Sequence, residues 1–594
     1  MPSVDTTPEV YAAPPPHRAA GVGDVTFASR QGLRRYASPV EIVSVSALED
    51  VVPALDRIDA LVNSGLHAAG FLSYEAAPAF DPAMKTHPPG PVPLLWFGIY
   101  GGYSGGSLPD ASTASSHSIS WEPLIGREEY AKAVGRIRKW LAAGDTYQIN
   151  YTFPMRAAVV GDPFELFERL YASQPADFTA YLNAGRFNIL SLSPELFFRL
   201  DGDRLETRPM KGTAPRGLWY EDDCARALEL QRSAKERAEN VMIVDLLRND
   251  LGRISRTGSV TVENLFETER YHTLWQMTSS IASKTDASLP EIIAALFPCG
   301  SVTGAPKLRS MEIIRELEPR PRGVYCGSVG WMAPERQAQF NVAIRTMCID
   351  THAREATYSV GSGITWDSAA RAEYDECLLK AHVLNHRPPP FELLESLLWD
   401  GRYFLLEKHL RRLSHSADYF GIPLDLEAIK RQLAETARTL ERGRHKIRLR
   451  VTRSGGVHID AERTRPPGRF KVGLALGPVD TADVFLYHKT THRSQYDALR
   501  LARPELDDVL LWNERGEITE STIANIVVRR AGAWLTPPVS CGLLPGVMRE
   551  YLLQTGEISE AVIRKEDLDQ AERIALINSV RKWIEVKFAD LAAA

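Results

Sequence analysis

Two pairs of glutamates stand three residues apart in segments with helical periodicity: Glu236 with Glu239, and Glu373 with Glu376. Residues at this spacing project from one helix face, so each pair can present two carboxylates to one point. Carboxylate oxygens completed by water are the ligands that Mg²⁺ prefers. The alternative is two solvated helix faces, because one glutamate of each pair also has a lysine four residues away.

Two lysines lie in unusual contexts: Lys211 in RPMKGT and Lys489 in HKTT. A lysine must be neutral to act as a nucleophile, and lowering its pKa from ~10.4 by about three units costs about 4 kcal/mol. Burial and neighbouring cations can supply that shift. A lysine taken alone is more often a surface charge, so the flanking motifs decide between the two interpretations.

The composition excludes several classes of protein. The chain has 594 residues, with 70 Lys plus Arg against 75 Asp plus Glu and a net charge of -5. This balance gives no reason to expect nucleic acid or an anionic membrane as a partner. The six cysteines form no CxxC pair, which favours a reducing cytoplasm. We find neither an apolar run of the roughly 18 residues that span a membrane nor a secretory signal.

Helix and strand patterns alternate without a strict βαβ order, which predicts an α+β fold. Helical spacing predicts helices over 128–145, 235–253 and 407–421, and strand patterns predict a strand–turn–strand over 187–210. Residues 391–406 are predicted to form a hairpin turned at Asp400-Gly401, and 101–118 to form a loop. The predicted domain boundaries are a lead-in at 1–22, a domain at 23–385, a Pro-rich linker at 386–390 and a domain at 391–594.

Several motifs in the first domain are specific when they are taken together. Their order and spacing resemble the chorismate-utilising enzymes, which include anthranilate, aminodeoxychorismate, isochorismate and salicylate synthases. The resemblance covers roughly residues 40–385 and implies a two-sheet α/β sandwich, chorismate as substrate and Mg²⁺ as cofactor. The motifs are YQINYT (147–152), SLSPELFFRL (191–200), TRPMKGTAPRG (207–217), KERAENVMIVDLLRNDLGR (235–253), FPCGSVTGAPK (297–307), FNVAIRT (340–346) and GSGITWDSAARAEYDECLLKA (361–381).

The resemblance assigns metal and acid roles to particular residues. It implies that Glu239 and Glu376 bind Mg²⁺ directly and that Glu373 acts through water. Glu195, in SPELF, matches the general acid that protonates the departing 4-hydroxyl of chorismate. His272, in YHTLW, matches an active-site histidine of the family.

Other residues are expected to bind the carboxylates of the substrate. Arg345, in FNVAIRT, resembles the family arginine that grips the ring carboxylate, which a guanidinium can bind with two hydrogen bonds. Two Gly-rich turns can present backbone N–H groups to an anion. The turn residues concerned are Thr303 and Gly304 in one, and Gly361 and Gly363 in the other.

Lys211 and Gln148 distinguish the branches of the family. Anthranilate synthases are expected to carry alanine at the position of Lys211, whereas a lysine there resembles the nucleophile of aminodeoxychorismate synthases. Water-adding members place a lysine at the position of Gln148, which disfavours isochorismate or salicylate formation. The sequence contains no recognisable glutaminase nucleophile, so a separate glutamine amidotransferase subunit is the implied source of ammonia.

The second domain resembles fold-type IV pyridoxal phosphate enzymes such as aminodeoxychorismate lyase and branched-chain aminotransferase. This implies a second α+β domain, pyridoxal 5'-phosphate as cofactor, and the option of a homodimer through this domain. The matching segments are EKHLRRLSHSADYFG (407–421), LYHKTTHRSQYDA (486–498), NERGEITESTIANIVV (513–528), GLLPGVMRE (542–550) and INSVRKW (577–583).

The cofactor needs a lysine, an acid at its ring nitrogen and donors for its phosphate. Lys489 matches the Schiff-base lysine, Glu520 the ring-nitrogen carboxylate and Arg412 the phosphate arginine. A helix start suited to phosphate follows LLP. Its residues are Gly546, Val547 and Met548, where the family often has threonine in place of the methionine.

The fusion itself favours a particular pair of activities. An aminodeoxychorismate synthase makes the substrate of an aminodeoxychorismate lyase, so the two halves together would convert chorismate to 4-aminobenzoate and pyruvate. Ser396 lies near the position where lyases often carry a threonine hydroxyl. The alternatives are anthranilate synthase chemistry in the first half, and an aminotransferase or a noncatalytic module in the second.

Overall fold

The structure is a computed structural model that describes residues 20–29, 32–106, 119–159, 161–382, 384, 389–466 and 468–589. Most of the predicted lead-in, residues 386–388 of the predicted linker and residues 107–118 of the predicted loop lie outside these ranges. Contacts between residues divide the chain into two units. The first is Met1–Ala214 with Glu229–Pro388, and the second is Pro215–Leu228 with Pro389–Ala594.

The strands up to residue 382 form two sheets. They are β1 (Val25–Ser29), β2 (Gly32–Tyr36), β3 (Glu41–Val45), β4 (His67–Leu72), β5 (Leu95–Tyr100), β6 (Ser104–Gly106), β7 (Glu122–Pro123), β8 (Gln148–Ala158), β9 (Phe178–Ala184), β10 (Phe187–Ser193), β11 (Leu196–Asp201), β12 (Arg204–Arg208), β13 (Met210–Pro215), β14 (Thr261–Arg270), β15 (Leu274–Lys284), β16 (Gly304–Ala305), β17 (Ser328–Ala333), β18 (Gln337–Val342), β19 (Thr346–Asp350) and β20 (Glu355–Ile364). The first sheet has the order β16-β8-β20-β19-β10-β9-β1-β2-β6, with β7 beside β8. The second has the order β13-β15-β12-β11-β18-β17-β4-β5-β3, with β14 beside β15.

Helices cover the outer faces of these sheets. They are α1 (Leu48–Asn63), α2 (Arg127–Ala143), α3 (Pro163–Ser173), α5 (Ala234–Gly252), α6 (Leu289–Leu296), α7 (Lys307–Leu317) and α8 (Ala370–His382). A further helix, α4 (Tyr220–Arg232), contains residues of both units. One apolar cluster joins Leu182 and Ile189 of the first sheet to Phe71 and Val329 of the second. Further clusters pack α2, α3 and α8 on the first sheet and α1, α5 and α6 on the second. The predicted two-sheet α/β sandwich is therefore confirmed.

The second unit is also α+β. Its elements after residue 389 are β21 (Leu393–Trp399), β22 (His445–Val451), β23 (Val457–Arg463), β24 (Phe470–Leu474), β25 (Asp508–Trp512), β26 (Ile518–Ser521), β27 (Asn525–Arg530), β28 (Ala533–Thr536), β29 (Ser559–Glu560), β30 (Arg573–Asn578) and β31 (Lys582–Phe588), with α9 (Leu406–Phe420), α10 (Leu426–Thr439), α11 (Ser494–Leu501) and α12 (Val547–Gln554). Strands β21–β23 form one sheet, and the others have the order β26-β25-β24-β31-β30-β27-β28-β29. An additional pairing of Glu520 with Asn525 joins β26 to β27 and closes six strands into a ring.

Most of the predicted elements are present. The helix predicted over 128–145 is α2, which ends where Gly144 takes a positive φ of 76°.

The hairpin predicted over 391–406 is wrong in its second half. After Asp400-Gly401 only a single bridge, Trp399 to Tyr403, continues the pairing, and α9 begins at Leu406. The apolar residues that suggest a second strand lead directly into the amphipathic α9. Part of the predicted loop at 101–118 is strand β6.

Two further features follow from the described residues. All six cysteines are free thiols. No helix in the described ranges is both long enough and apolar enough to cross a membrane.

Candidate active sites

The first cavity lies in the first unit, has a volume of about 220 Å³ and is lined by all four glutamates of the two helical pairs. Glu236 and Glu239 come from α5, and Glu373 and Glu376 come from α8. The i,i+3 spacing directs each pair to one face of its helix. The two helices thus bring four carboxyl groups to the same space.

Lysines of the same two helices contact these carboxylates. Lys380 Nζ lies 2.9 Å from Glu376 Oε1, and Lys235 Nζ lies 4.0 Å from Glu239 Oε1. The i,i+4 ion pairs expected for solvated helix faces are therefore present, but their glutamates line the cavity. Within the ranges that the structure describes, no group of three or more His, Cys, Asp and Glu side chains could hold a metal ion as it stands.

The chemistry of these carboxyl groups nevertheless fits a divalent cation. Burial raises the pKa of both Glu236 and Glu239. Burial also acts to raise the pKa of Glu376, but the adjacent Lys380 outweighs it and the net direction is downward. Clustered oxygen donors with room for water suit Mg²⁺. A cation would replace the two lysines as the partner of Glu239 and Glu376.

Lys211 extends from β13 into the first cavity. A Cβ atom placed on Gly363 would lie 2.8 Å from Lys211 Nζ and 2.4 Å from Gln148 Nε2, so a larger residue there would displace the ends of both side chains. Gln148 is fully buried, and its amide has no hydrogen-bond partner among the described residues. Burial lowers the pKa of the Lys211 amine, although nearby Glu239 raises it. A neutral, nucleophilic amine is favoured by this environment.

Glu195 lies at the wall of the same cavity, just before β11. Only 3% of the residue is exposed, and its Oε1 accepts a hydrogen bond of 2.7 Å from Ser301 Oγ. Burial raises the pKa of Glu195 to about 7, while Ser301 and Lys211 act to lower it. A carboxyl group with this pKa is protonated in a large fraction of molecules at neutral pH, as a general acid requires.

Arg345 also lines the first cavity. Its backbone has a positive φ of 48°, and its guanidinium lies 5.7 Å from the centre of the Tyr271 ring. The buried Nη1 atom has no hydrogen-bond partner in the described residues. A guanidinium with unsatisfied donors in a cavity suits a carboxylate ligand.

The structure does not bring every predicted residue to this cavity. Gly361 and Gly363 of β20 line it, but Gln148, Thr303 and Gly304 do not. Thr303 instead donates to the carbonyls of Cys299 and Gly300. His272 is exposed in the turn between β14 and β15, and its role remains a prediction.

The second cavity lies in the second unit and has a volume of about 320 Å³. Lys489 lines it, and the Lys489 carbonyl accepts a hydrogen bond of 2.9 Å from Leu394 N. Burial, and next the Arg412 guanidinium, lower the pKa of the Lys489 amine to about 8. Ser396 also lines this cavity.

Glu520 is held at the point where β26 meets β27. Its Oε1 accepts from Tyr496 Oη at 2.8 Å and from Leu544 N at 3.1 Å, and its Oε2 accepts from Asn525 Nδ2 at 3.1 Å. Burial raises the pKa of Glu520 to about 7. The Oε2 atom keeps a lone pair for a further donor, such as a protonated ring nitrogen.

Arg412 forms a buried ionic cluster. Its Nε and Nη2 atoms each donate to Glu395 at 2.8 Å, and its Nη1 donates to Pro545 O at 3.2 Å. His409 Nδ1 lies 2.7 Å from Glu395 Oε2. Burial acts to raise the pKa of Glu395, but Arg412 and His409 outweigh it and hold the pKa well below its usual range. Two of the five guanidinium N–H groups remain for a phosphate.

The start of α12 provides further donors. Gly546 precedes Val547, the first residue of α12, and no side chain caps the helix. A Cβ atom on Gly546 would lie 1.9 Å from Asn525 Oδ1, so glycine is required for this close approach. Val547 and Met548 can offer backbone N–H groups to an anion. With Lys489 and Glu520, this donor set fits pyridoxal phosphate.

Several residues that support the second cavity were not predicted from the sequence. Glu395 and His409 fix Arg412, while Tyr496 and Asn525 fix Glu520. His409 was visible in the HxxR pattern beside Arg412. The other contacts join residues that are distant in sequence and that no local pattern links.

The chain has two different candidate active sites. One is a cavity in the two-sheet sandwich, with a lysine and four glutamates. The other is a cavity in the second unit, beside the ring of strands, with a buried lysine and a buried glutamate. Residues 44–386 match the model of the chorismate binding enzyme family, and residues 391–588 match that of amino-transferase class IV. The chain therefore belongs to the chorismate binding enzyme family and carries a fold-type IV aminotransferase-like domain after it.

Relatives of the first half differ in name. The chain is 41% identical over 270 residues to aminodeoxychorismate synthase component 1 of Salmonella typhimurium, covering 45% of this chain and 59% of the relative. It is 40% identical over 267 residues to anthranilate synthase component 1 1 of Haloarcula marismortui, covering 45% of this chain and 54% of the relative. The chain thus spans little more than half the length of these relatives.

A solved structure has the same fold as the first half. It is anthranilate synthase component I from Streptococcus pneumoniae, with a TM-score of 0.51 and 24% sequence identity. The similarity covers 64% of this chain and 95% of that chain. At this identity the comparison establishes the fold and leaves the reaction to the site residues.

Proposed function

We propose that the chain converts chorismate to 4-aminobenzoate in two steps. The first cavity would aminate chorismate to 4-amino-4-deoxychorismate, and the second would eliminate pyruvate from that product. The observation that carries this proposal is Lys211 in the first cavity, beside Gln148 and with Glu195 and the four glutamates on the same walls.

Lys211 would act as the nucleophile of the first step. Its neutral amine would form a bond to C2 of chorismate while the ring double bond shifts and the 4-hydroxyl leaves. Glu195 would give that hydroxyl its proton, so that water departs. Ammonia would then bond to C4, the C2–N bond would break, and Lys211 would be released. The sum of these events is chorismate plus ammonia giving aminodeoxychorismate plus water.

Other groups in the first cavity would hold the substrate. Arg345 has unsatisfied donors for the ring carboxylate. Glu239 and Glu376, with Glu373 through water, would hold Mg²⁺, which supplies a positive charge for a substrate carboxylate when it is bound. The names of relatives as component 1 support a second subunit, a glutamine amidotransferase, as the source of ammonia.

The second step would use the second cavity. Lys489, Glu520, Arg412 and the start of α12 would hold pyridoxal phosphate, which supplies an electron sink when it is bound. Glu520 would keep the proton on the ring nitrogen. Lys489, with its pKa near 8, would move a proton within the substrate. Loss of pyruvate with aromatisation of the ring needs no second amino acid, which separates a lyase from an aminotransferase.

Anthranilate synthase chemistry is disfavoured by Lys211, because that reaction does not use a lysine nucleophile at this position.

Product analysis tests the proposal. The purified chain is incubated with chorismate, an ammonium salt, Mg²⁺ and pyridoxal phosphate, without added lyase. We expect 4-aminobenzoate and pyruvate in equal amounts. Anthranilate would overturn the first step, and accumulated aminodeoxychorismate would overturn the second.

Reduction with borohydride provides an independent test of the second cavity. Peptide mapping after reduction in the presence of pyridoxal phosphate should place the label on Lys489. A label elsewhere, or none, would support the noncatalytic interpretation of this domain.

A further inference from the structure

The 215–228 segment (Pro215–Leu228) lies within the range of the chorismate binding enzyme family but belongs to the second unit. It follows strand β13 and includes the first part of α4. The sequence boundary at the Pro-rich linker does not predict this arrangement.

The segment has a rigid internal structure. Arg216 Nε and Nη2 donate to the two carboxylate oxygens of Asp223, each at 2.7 Å, and Gly217 N donates to Asp223 Oδ1 at 2.8 Å. The Arg216 and Asp223 side chains are only 7% and 3% exposed. A Cβ atom on Gly217 would lie 2.2 Å from Asp223 N, so the turn requires glycine.

Arg216 and Gly217 fix Tyr419 of α9. Arg216 Nη2 donates to Tyr419 O at 2.9 Å, and its guanidinium lies 4.2 Å from the centre of the Tyr419 ring. Tyr419 Oη donates to Gly217 O at 2.8 Å. The Tyr419 ring in turn lies 4.3 Å from the ring of His488, the residue before Lys489.

Trp219 makes the second connection. Its ring stacks on that of Tyr487, two residues before Lys489, with 5.6 Å between the ring centres. Trp219 and Leu218 pack against an apolar cluster that contains Tyr487 and Tyr496. Tyr496 Oη is the donor to Glu520 Oε1. Neither Tyr487 nor Tyr419 lines the second cavity.

We propose that the 215–228 segment is a positioning element of the second cavity. It supports Tyr419, Tyr487 and Tyr496 from behind the cavity wall and so fixes the backbone of Lys489 and the carboxylate of Glu520 for the cofactor. Only the identity of the cofactor, pyridoxal phosphate, rests on the proposed function. The second domain then depends on a segment encoded within the first.

Trp219→Ala in the full-length chain tests the proposal. Because a stacked aromatic pair contributes about 0.5–1.5 kcal/mol, we expect the Kd for pyridoxal phosphate to rise roughly two- to tenfold. In protein without cofactor, hydrogen exchange of amides 486–490 should become faster. Trp219→Phe keeps a stacking ring and should restore most of both properties. Trp366→Ala removes an exposed tryptophan of the first unit and serves as the matched control.

Two outcomes would overturn the proposal: unchanged affinity with unchanged exchange in Trp219→Ala, or equal effects in Trp366→Ala. If Trp219→Ala fails to fold, Tyr419→Phe removes only the hydrogen bond to Gly217 O and should change both properties in the same direction. If the unaltered chain does not bind pyridoxal phosphate, the proposed function fails, and the exchange measurement alone decides whether the segment positions Lys489.

Discussion

Lys211 and Lys489 are two buried lysines in different surroundings. Burial lowers the pKa of both amines, but their neighbours differ. Lys211 shares its cavity with four glutamates that a cation could neutralise, and with the buried acid Glu195. Lys489 has the permanent charge of Arg412 nearby, which itself lowers its pKa. The proposed roles of Lys211 as a nucleophile and of Lys489 as the cofactor lysine both require a neutral amine, and burial favours the neutral form in each cavity.

Lys211→Ala should abolish most formation of aminodeoxychorismate while leaving chorismate binding intact. The substitution removes the nucleophile, but Arg345 and the glutamates remain. A fall in kcat of at least about a hundredfold is expected for the loss of such a group. Rates are measured with ammonium salt, and chorismate binding by calorimetry with Mg²⁺. Near-normal turnover would show that Lys211 is not the nucleophile.

The rate of the first step should fall as pH rises through the pKa of Glu195, about 7, because only the protonated acid can assist the leaving hydroxyl. The Ser301 hydroxyl donates to Glu195 and acts to lower its pKa. Ser301→Ala should therefore raise this pKa and move the alkaline fall in kcat/KM to higher pH. A fall that stays in place or moves to lower pH would exclude Glu195 as the titrating group.

Strand β21 and helix α9 are joined by the buried charge cluster of Glu395, Arg412 and His409. Glu395→Gln would leave Arg412 and His409 without their carboxylate, which should cost about 3–5 kcal/mol in the stability of the second unit. The matched control is Glu392→Gln on the same chain segment. Its partner Arg450 is 32% exposed, so we expect a loss of about 0–1 kcal/mol. The loss of stability in each variant is measured by urea unfolding, with hydrogen exchange of β22 amides as the readout. Equal losses in the two variants would contradict the prediction.

Helices with a strong periodic pattern could be predicted from the sequence, because their signal is local. The α2 and α5 helices lie within one or two residues of the predicted ranges, and Gly144 ends α2 as expected. The second strand of the 391–406 hairpin could not be predicted correctly. The continuous apolar run from Tyr403 to Leu405 fits a strand as well as the approach to α9, and only packing decides between them.

The ordered motifs predicted residues that lie together in one cavity, but they did not predict the side chains that support those residues. Lys211, Glu195 and Arg345 line one cavity because their motifs lie on elements that the fold brings together. The contacts of Glu395 with Arg412 and of Tyr496 with Glu520 depend on tertiary structure alone. The role of His272 stays a prediction: its motif matches the family, and the residue is exposed in the turn between β14 and β15.

The whole molecule has two cavities with different sets of side chains on one chain. The residues that line the first cavity all belong to the first unit, and those of the second all belong to the second. The 215–228 segment begins four residues after Lys211 along the chain, so the lysine of one site directly precedes a support of the other. Because the two cavities share no side chain, we expect that a substitution in one cavity leaves the reaction in the other running.

Lys489→Ala should therefore stop release of 4-aminobenzoate and leave the first step running. The substitution removes the amine that anchors the cofactor and moves the proton, and the first cavity uses neither function. It leaves the ring contacts of Tyr487 with Trp219 and of His488 with Tyr419 in place, so the 215–228 segment should keep its packing. Consumption of chorismate is followed together with accumulation of aminodeoxychorismate, and added lyase should restore 4-aminobenzoate. If a folded Lys489→Ala chain instead stopped consuming chorismate, the reactions in the two cavities would depend on each other, and the prediction would be wrong.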